Sequence, residues 1–419
     1  MRENCRTFDV AVVGAGPAGL AAALAAERQG SRVLLIEREA RLGGILKQCV
    51  HDGFGLVRFG EKLAGPEYAH RFLSRLSGTS IQIAALTFVS AIKKTDLFGL
   101  ELVSAHGLET VLSKTIVLAT GCRERTAQQV AIHGTRPAGV FTAGSAQYYT
   151  NILGKLPAKR CVILGSGDIG LIMARRLTLE GAKVLGVYEA KSVPSGLPRN
   201  LAQCLHDFDI PLYLSKTVTR CFGDARLTAV EIADVDENMR PIDGTQQILD
   251  CDTLVLSVGL IPENELAETL GVALDSATKG AVTDQDGHTS VDGVFACGNC
   301  VHVNDLVDYV SESGETAGAA AARYAVGTRK SIPVRTSDNL LYCVPQKISI
   351  TKNNGEVVLY FRVKRELQNR RLTVRLEERT LLQKNYKQMR PPEMERIAVK
   401  LPETIGENET LYLQLEVNG

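Results

Sequence analysis

Two stretches of this chain, 151 residues apart, follow one plan. Residues 8–37 read as an apolar strand (8–13), the turn Gly14-Ala15-Gly16-Pro17-Ala18-Gly19, an Ala/Leu-rich helix (20–29) and a second strand (32–37). Residues 160–189 repeat it: strand 161–164, the turn Gly165-Ser166-Gly167-Asp168-Ile169-Gly170, a helix to residue 180 and strand 183–189. Near-continuous apolar strands belong to parallel sheets buried on both faces. Each copy is followed by alternating strand-like sequence, residues 88–111 and 218–249. Each then reaches an apolar strand ending in glycine, at Gly121 and at Gly259. Order repeated on a domain scale predicts two related α/β units.

The glycines have separate tasks. Gly14 and Gly165 permit a tight turn, Gly16 and Gly167 let a diphosphate approach the backbone, and Gly19 and Gly170 let the helix pack on its strand. Pro17 with Ala18, and Asp168 with Ile169, open the helices, whose N-termini offer free N–H groups and a positive dipole end. Glu37 follows Gly19 by 18 residues and Glu189 follows Gly170 by 19. Both are near the spacing of about 20 expected of an acid that binds ribose hydroxyls. Arg38 adjoins the first acid. A carboxylate at 189 favours the free 2′-hydroxyl of NAD over the 2′-phosphate of NADP, a preference that nearby Lys191 would weaken.

Length and composition set the outer bounds. At 419 residues the chain has room for two or three domains, and its 23% charged content is that of a globular protein. A net charge of +1 gives no reason to expect nucleic acid as a partner. No apolar run reaches the roughly 20 residues of a membrane span, and residues 1–9 carry no signal-peptide pattern. The ten cysteines are scattered. They read as mostly buried thiols in a reducing cytoplasm, and no metal site is expected. From about Ile332 the sequence turns strand-like, as in residues 356–363 and 410–417, with a turn signal at Asn353-Asn354-Gly355. The expected architecture is α/β: two Rossmann-like dinucleotide-binding domains, the second inserted in the first, plus a small C-terminal all-β domain. The boundaries are 1–152 with 278–330, 153–277, and 331–419.

Three further segments carry a resemblance: Thr115 to Gly121, which contains Ala119 and Thr120; Asp252 to Gly259; and Gly293 to Asn299, which contains Gly298. With the two glycine turns they resemble the pyridine nucleotide-disulfide oxidoreductase superfamily, flavoproteins with two dinucleotide-binding domains. The resemblance covers about residues 5–330. It implies FAD on the first turn, with Gly14, Gly16, Pro17, Ala18, Gly19, Glu37, Arg38, Gly43, Gly44, Ala119, Thr120, Gly121, Gly298 and Asn299 around it. It implies NAD(H) on the second, with Gly165, Gly167, Asp168, Ile169, Gly170, Glu189 and Gly259. Residues 43–55, 65–68, 134–147 and 344–348 are similar to one branch, the FAD/NAD subunit found with anaerobic-type glycerol-3-phosphate dehydrogenase. More distantly they resemble subunits of opine oxidase, dye-linked proline dehydrogenase and hydrogen cyanide synthase. That likeness implies an oligomer in which the subunit relays electrons for a partner dehydrogenase, with a small Cys-rich electron-transfer protein as a further partner. A stand-alone NADH-dependent reductase, and a flavin scaffold with an idle second domain, stay open beside it.

Two departures stand out. Asn299 occupies a place where the superfamily usually has an Asp for the flavin ribityl chain; an amide still accepts from a hydroxyl. No redox cysteine pair follows Gly43-Gly44, where only Cys49 occurs, and the second domain has no CxxC. Cys297-Gly298-Asn299-Cys300 is formally CxxC but has no companion pair for a metal, and buried thiols are its plainer reading. Cys49 and His51 are the candidate catalytic residues, His51 as a proton carrier near the flavin, with a loop hydrogen bond as its plainer role. The small-residue helix after Asn299, expected over 315–326 and starting near Ser313 to Thr316, would point its positive end at the reduced flavin. Arg123 and Arg125 are candidate phosphate contacts or ordinary surface arginines. The basic run 384–396 is a candidate docking stripe or a solvated face.

Overall fold

The computed structural model describes residues 5–325, 327, 329–350 and 354–417. Of the segments singled out above, the chain start, Val326 and Asn353 lie outside the described residues or run into their edge. The chain forms two compact units, Met1–Leu46 with Asp52–Cys122 and Pro262–Gly419, and Lys47–His51 with Arg123–Ile261.

The first unit is built on a sheet in the order Gln82–Ala84, Val33–Ile36, Thr7–Val13, Gly107–Leu118, Phe98–Ser104, Phe88–Lys94. Val294–Ala296 also pairs with Gly107–Leu118. Thr7–Val13 runs parallel to both neighbours. Its helix, Pro17–Glu27, is buried from Ala18 to Ala26. It is covered by helix Val307–Ala322, where Gly314 and Gly318 lie so close to Ala18 and Ala22 that a Cβ on either would strike backbone. Alanine and glycine dominate here because nothing larger fits between the two helices.

The same unit carries the C-terminal β region. One sheet runs Lys347–Ser349, Ser331–Thr336, Leu411–Val417, Leu367–Leu376, Arg379–Met389; the other runs Leu340–Val344, Glu356–Val363, Glu395–Lys400. Inward side chains such as Leu359, Phe361, Leu372 and Leu413 are fully buried between them. This sandwich is fastened to the nucleotide-binding part by polar contacts. Arg362 pairs with Asp305 across this joint, and within the sandwich it donates to Tyr342 Oη at 2.8 Å. Arg396 Nη2 donates to Glu312 Oε1 at 2.6 Å, and Tyr360 Oη to Glu312 Oε2 at 2.8 Å.

The second unit holds an all-parallel sheet in the order Val140–Thr142, Thr253–Leu256, Arg160–Leu164, Lys183–Glu189, Leu212–Leu214. Helix Asp168–Leu179 lies on it. A second sheet joins His133–Gly134, Lys216–Gly223, Leu227–Asp234 and Gln247–Asp250.

Two expectations from the sequence need correction. The units divide at Cys122/Arg123 and Ile261/Pro262, not at 152/153 and 277/278. Residues 140–151 belong to the second unit because Val140–Thr142 pairs with Thr253–Leu256 and Ala143 and Ala146 enter its core. Residues from Pro262 belong to the first because Ala267 and Val272 enter its core and Asn264 Nδ2 donates to Cys300 O at 3.0 Å. The small-residue helix starts at Val307, about two turns before Ser313, so its positive end lies beside Asp308. The side chain of Ser313 instead accepts the Gly298 N–H at 2.9 Å.

Candidate functional site

Each unit holds one glycine turn, and the two turns share their geometry. Gly14 has φ +100° and Gly165 φ +98°, backbone that favours glycine. A Cβ on Gly14 would also lie 2.5 Å from Ala119 O. The third glycines are closed off by protein: a Cβ on Gly170 would lie 2.6 Å from Gly165 O, and one on Gly19 would overlap Gly14 O. The middle glycines differ. A Cβ on Gly16 would find Gly44 Cα at 3.9 Å as its nearest neighbour, and one on Gly167 would find Ser257 Oγ at 3.8 Å. Two positions of each turn are therefore glycine for the protein's own packing, while the second is glycine with open space before it. That open face at a helix N-terminus fits a diphosphate.

The acids are placed alike. Glu37 is buried; its Oε2 accepts from Ala15 N at 2.9 Å and its Oε1 from Glu39 N at 3.0 Å. Glu189 is buried; its Oε2 accepts from Ser166 N at 3.0 Å and Ser166 Oγ at 2.6 Å, and its Oε1 from Lys191 N at 3.1 Å. Each carboxylate is thus pinned to its own glycine turn with lone pairs left for ribose hydroxyls. Arg38 and Lys191 are exposed.

Around the first turn, Gly43 N donates to Ala15 O at 2.9 Å, and a Cβ on Gly44 would lie 2.9 Å from Gly16 Cα. Ala119 N donates to Val13 O at 2.9 Å, Thr120 Oγ1 to Glu263 O at 2.6 Å, and Gly121 O accepts from Glu263 N at 2.9 Å. A Cβ on Gly298 would lie 2.8 Å from Ala18 Cβ, which places this segment against the start of the first helix. Asn299 Oδ1 accepts from Asn304 N at 3.1 Å and Asn304 Nδ2 at 3.2 Å, and Asn299 Nδ2 points to Cys122 Sγ at 3.6 Å. Asn304, which no sequence motif marked, orients that amide.

Around the second turn, Asp168 accepts on Oδ1 from Leu197 N at 2.9 Å and Asn200 Nδ2 at 2.7 Å, so its carboxylate is engaged by the loop that follows Glu189. Ile169 is exposed. Gly259 O accepts from Arg125 N at 3.1 Å, and the Arg125 Nε lies 3.9 Å from where a Gly259 Cβ would be. Arg125 thus belongs to the second turn's surroundings.

Cys49 and His51 fall in the second unit, while Gly43 and Gly44 fall in the first. The sequence placed all four together beside the flavin. The chain crosses because Gln48 Nε2 donates to Gly144 O at 2.8 Å and Gln147 Oε1 at 3.1 Å, and Asn151 Nδ2 donates to Gln48 O at 2.8 Å. Burial pushes the Cys49 thiol up to about 12, so it stays protonated near neutrality. Cys297 and Cys300 are fully buried, which raises both thiols, and Cys300 Sγ donates to Leu118 O at 3.2 Å. Among the described residues no two cysteines form a disulfide, no cluster of His, Cys, Asp and Glu could hold a metal, and no helix is long and apolar enough to cross a membrane.

Two glycine turns, each with its pinned acid at the end of a parallel strand pair, match an oxidoreductase class with two dinucleotide sites. The chain belongs to the pyridine nucleotide-disulphide oxidoreductase family, whose model matches residues 8–326. That family binds FAD and NAD(P). An opine oxidase subunit of Agrobacterium tumefaciens is 23% identical over 351 residues, 79% of this chain and 67% of that protein. The hydrogen cyanide synthase subunit HcnB of Pseudomonas aeruginosa is 30% identical over 281 residues, 62% of this chain and 59% of that protein. The matched region thus spans about three fifths to two thirds of these relatives. The fold is that of T. acidophilum thioredoxin reductase, with a TM-score of 0.62 at 24% identity over 76% of this chain and 98% of that one. L-proline dehydrogenase from P. horikoshii shares it with a TM-score of 0.53 at 21% identity over 76% and 56%.

Proposed function

We propose that this chain holds FAD on the turn at residues 14–19 and NAD(H) on the turn at 165–170, and that a hydride passes between them. The open face before Gly16 and Gly167, each beside a pinned carboxylate, is the observation that carries this reading. Bound FAD supplies a two-electron acceptor at its ring system. The protein's own residues bind and orient. Gly16, Ala18 and Gly19 present N–H groups to one diphosphate, with Gly14 turning the chain and Pro17 opening the helix without a donor; Gly167, Ile169 and Gly170 present them to the other, with Gly165 turning the chain. Glu37 and Glu189 take the ribose hydroxyls, and Glu189 repels a 2′-phosphate, so NAD(H) is preferred to NADP(H). The segments with Gly43, Gly44, Ala119, Thr120, Gly121, Gly298 and Asn299 wall the flavin site, and Gly259 with Arg125 walls the other.

The chain works without a dithiol relay. Supporting this, the Cys297 and Cys300 thiols are buried against carbonyls and Cys49 is held as a neutral thiol. His51 remains the candidate proton carrier. The chain serves as the electron-transferring subunit of a dehydrogenase complex of the glycerol-3-phosphate dehydrogenase type. That reading is supported by the likeness of residues 43–55 and 134–147 and by relatives that are themselves named subunits. An anaerobic mix of purified protein with NADH tests the core of this: the flavin colour bleaches. A flavin that stays oxidised with NADH, and is reduced only on adding a partner dehydrogenase and its substrate, contradicts a working second site.

A further inference from the structure

The two turns differ at three positions, and two of the differences point at one loop. Where the first turn has Ala15 and Pro17, with no side-chain hydrogen bonds, the second has Ser166 and Asp168. Ser166 is fully buried. Its hydroxyl donates to Glu189 Oε2 at 2.6 Å and accepts from Ser195 N at 2.9 Å. Asp168 Oδ1 accepts from Leu197 N and from Asn200 Nδ2. Between these attachments lies Gly196, where a Cβ would sit 2.8 Å from Ser166 O and 3.1 Å from Asp168 Oδ1. The loop is therefore drawn down onto the turn from both sides of a close backbone approach. In the first copy Gly43 and Gly44 make the matching approach through backbone alone.

A carboxylate at a helix start competes with a diphosphate for the same N–H groups and dipole end. Here its oxygen is turned to the loop instead. The loop begins at Lys191, whose N–H holds Glu189 Oε1, and ends beside exposed Arg199. Its seat thus fixes the acid that reads the ribose, with exposed Lys191 and Arg199 near its two ends.

We propose that Ser166 and Asp168 are positioning residues that latch the loop of residues 191–200 onto the second glycine turn, making it a fixed wall of the nicotinamide-nucleotide site and setting its preference for a free 2′-hydroxyl. This rests on the second turn binding NAD(H), as proposed above. The test uses the full FAD-loaded chain. Hydrogen exchange of the 191–200 peptide is followed without nucleotide, and Kd, KM and kcat are measured for NADH and NADPH. Asp168→Ala speeds exchange in the loop, raises the NADH Kd about tenfold by loss of charge-assisted bonds, narrows the NADH/NADPH ratio and raises KM by a larger factor than it lowers kcat. Asp168→Asn keeps the acceptor oxygen and restores the affinity that alanine loses. If Asp168→Ala yields no folded protein, Ser166→Ala and Asn200→Ala carry the same expectation. Unchanged exchange, or a loosened loop with unchanged NADH affinity, overturns the latch, as does an Asn variant that behaves like Ala. A wild-type chain with FAD bound and a protected loop that takes no NADH overturns the assignment of the second turn, and the loop's role in specificity with it.

Discussion

Replacing Gly16 by alanine separates ligand binding from folding. Gly16 has φ −72° and ψ −174°, an extended conformation open to alanine. The new methyl would meet no protein atom closer than 3.9 Å. The ligand-free protein should lose nothing, and the stiffer unfolded chain should add about 0.4–1 kcal/mol of stability. A diphosphate approaching that backbone meets the methyl instead. Loss of one charge-assisted hydrogen bond costs roughly 1.5–3 kcal/mol, which weakens FAD roughly 10- to 150-fold. Gly167→Ala is the matched control, with φ −65°, ψ 160° and a nearest neighbour at 3.8 Å. It should keep its flavin and lose NADH affinity by a similar factor. Gly14→Ala should behave differently, because φ +100° and the 2.5 Å approach to Ala119 O strain the fold itself. Flavin per chain from visible absorbance, FAD Kd from flavin fluorescence and melting of the stripped protein read all three. A folded Gly16→Ala protein that binds FAD with wild-type affinity refutes the reasoning.

Two other perturbations address the packing behind the first site. Burial, and then the Arg362 charge, hold the His302 imidazole down to about 3, below its usual 6.5. The folded state refuses a proton that the unfolded chain accepts, so stability is whole above pH 6.5 and falls as pH drops toward 3, by about 2 kcal/mol at pH 5. His302→Phe should flatten the melting profile between pH 8 and 5; an unchanged slope contradicts this. Arg362→Met strips the Asp305 pair and the Tyr342 bond and should cost roughly 2–3 kcal/mol, seen as earlier melting of the C-terminal sandwich. Melting at the wild-type temperature would count against that fastening.

What the sequence made legible was local. The glycine turns, their acids and the buried strands lie within about thirty residues of one another, and spacing rules act on that scale. Strand Glu356–Val363 was likewise read from its own run of apolar and β-branched residues. What escaped depended on distant partners. Gln48 leaves the first unit because Gln147, 99 residues on, holds it. Residues 140–151 join the second unit through pairing with Thr253–Leu256. The start of the helix at Val307 was hidden because residues 303–312 mix charged and apolar side chains without a Ser, Thr, Asp or Asn cap; Leu306 stands there. The cross-links of Ser166 and Asp168 to a loop about thirty residues away were equally silent.

Counting sites tests the two-turn reading most directly. Anaerobic equilibrium binding on one preparation should find one FAD and one NAD(H) per chain, with neither displacing the other and with Gly167→Ala weakening only the second. NADH that competes with FAD for a single site, or flavin lost from Gly167→Ala rather than Gly16→Ala, would contradict it.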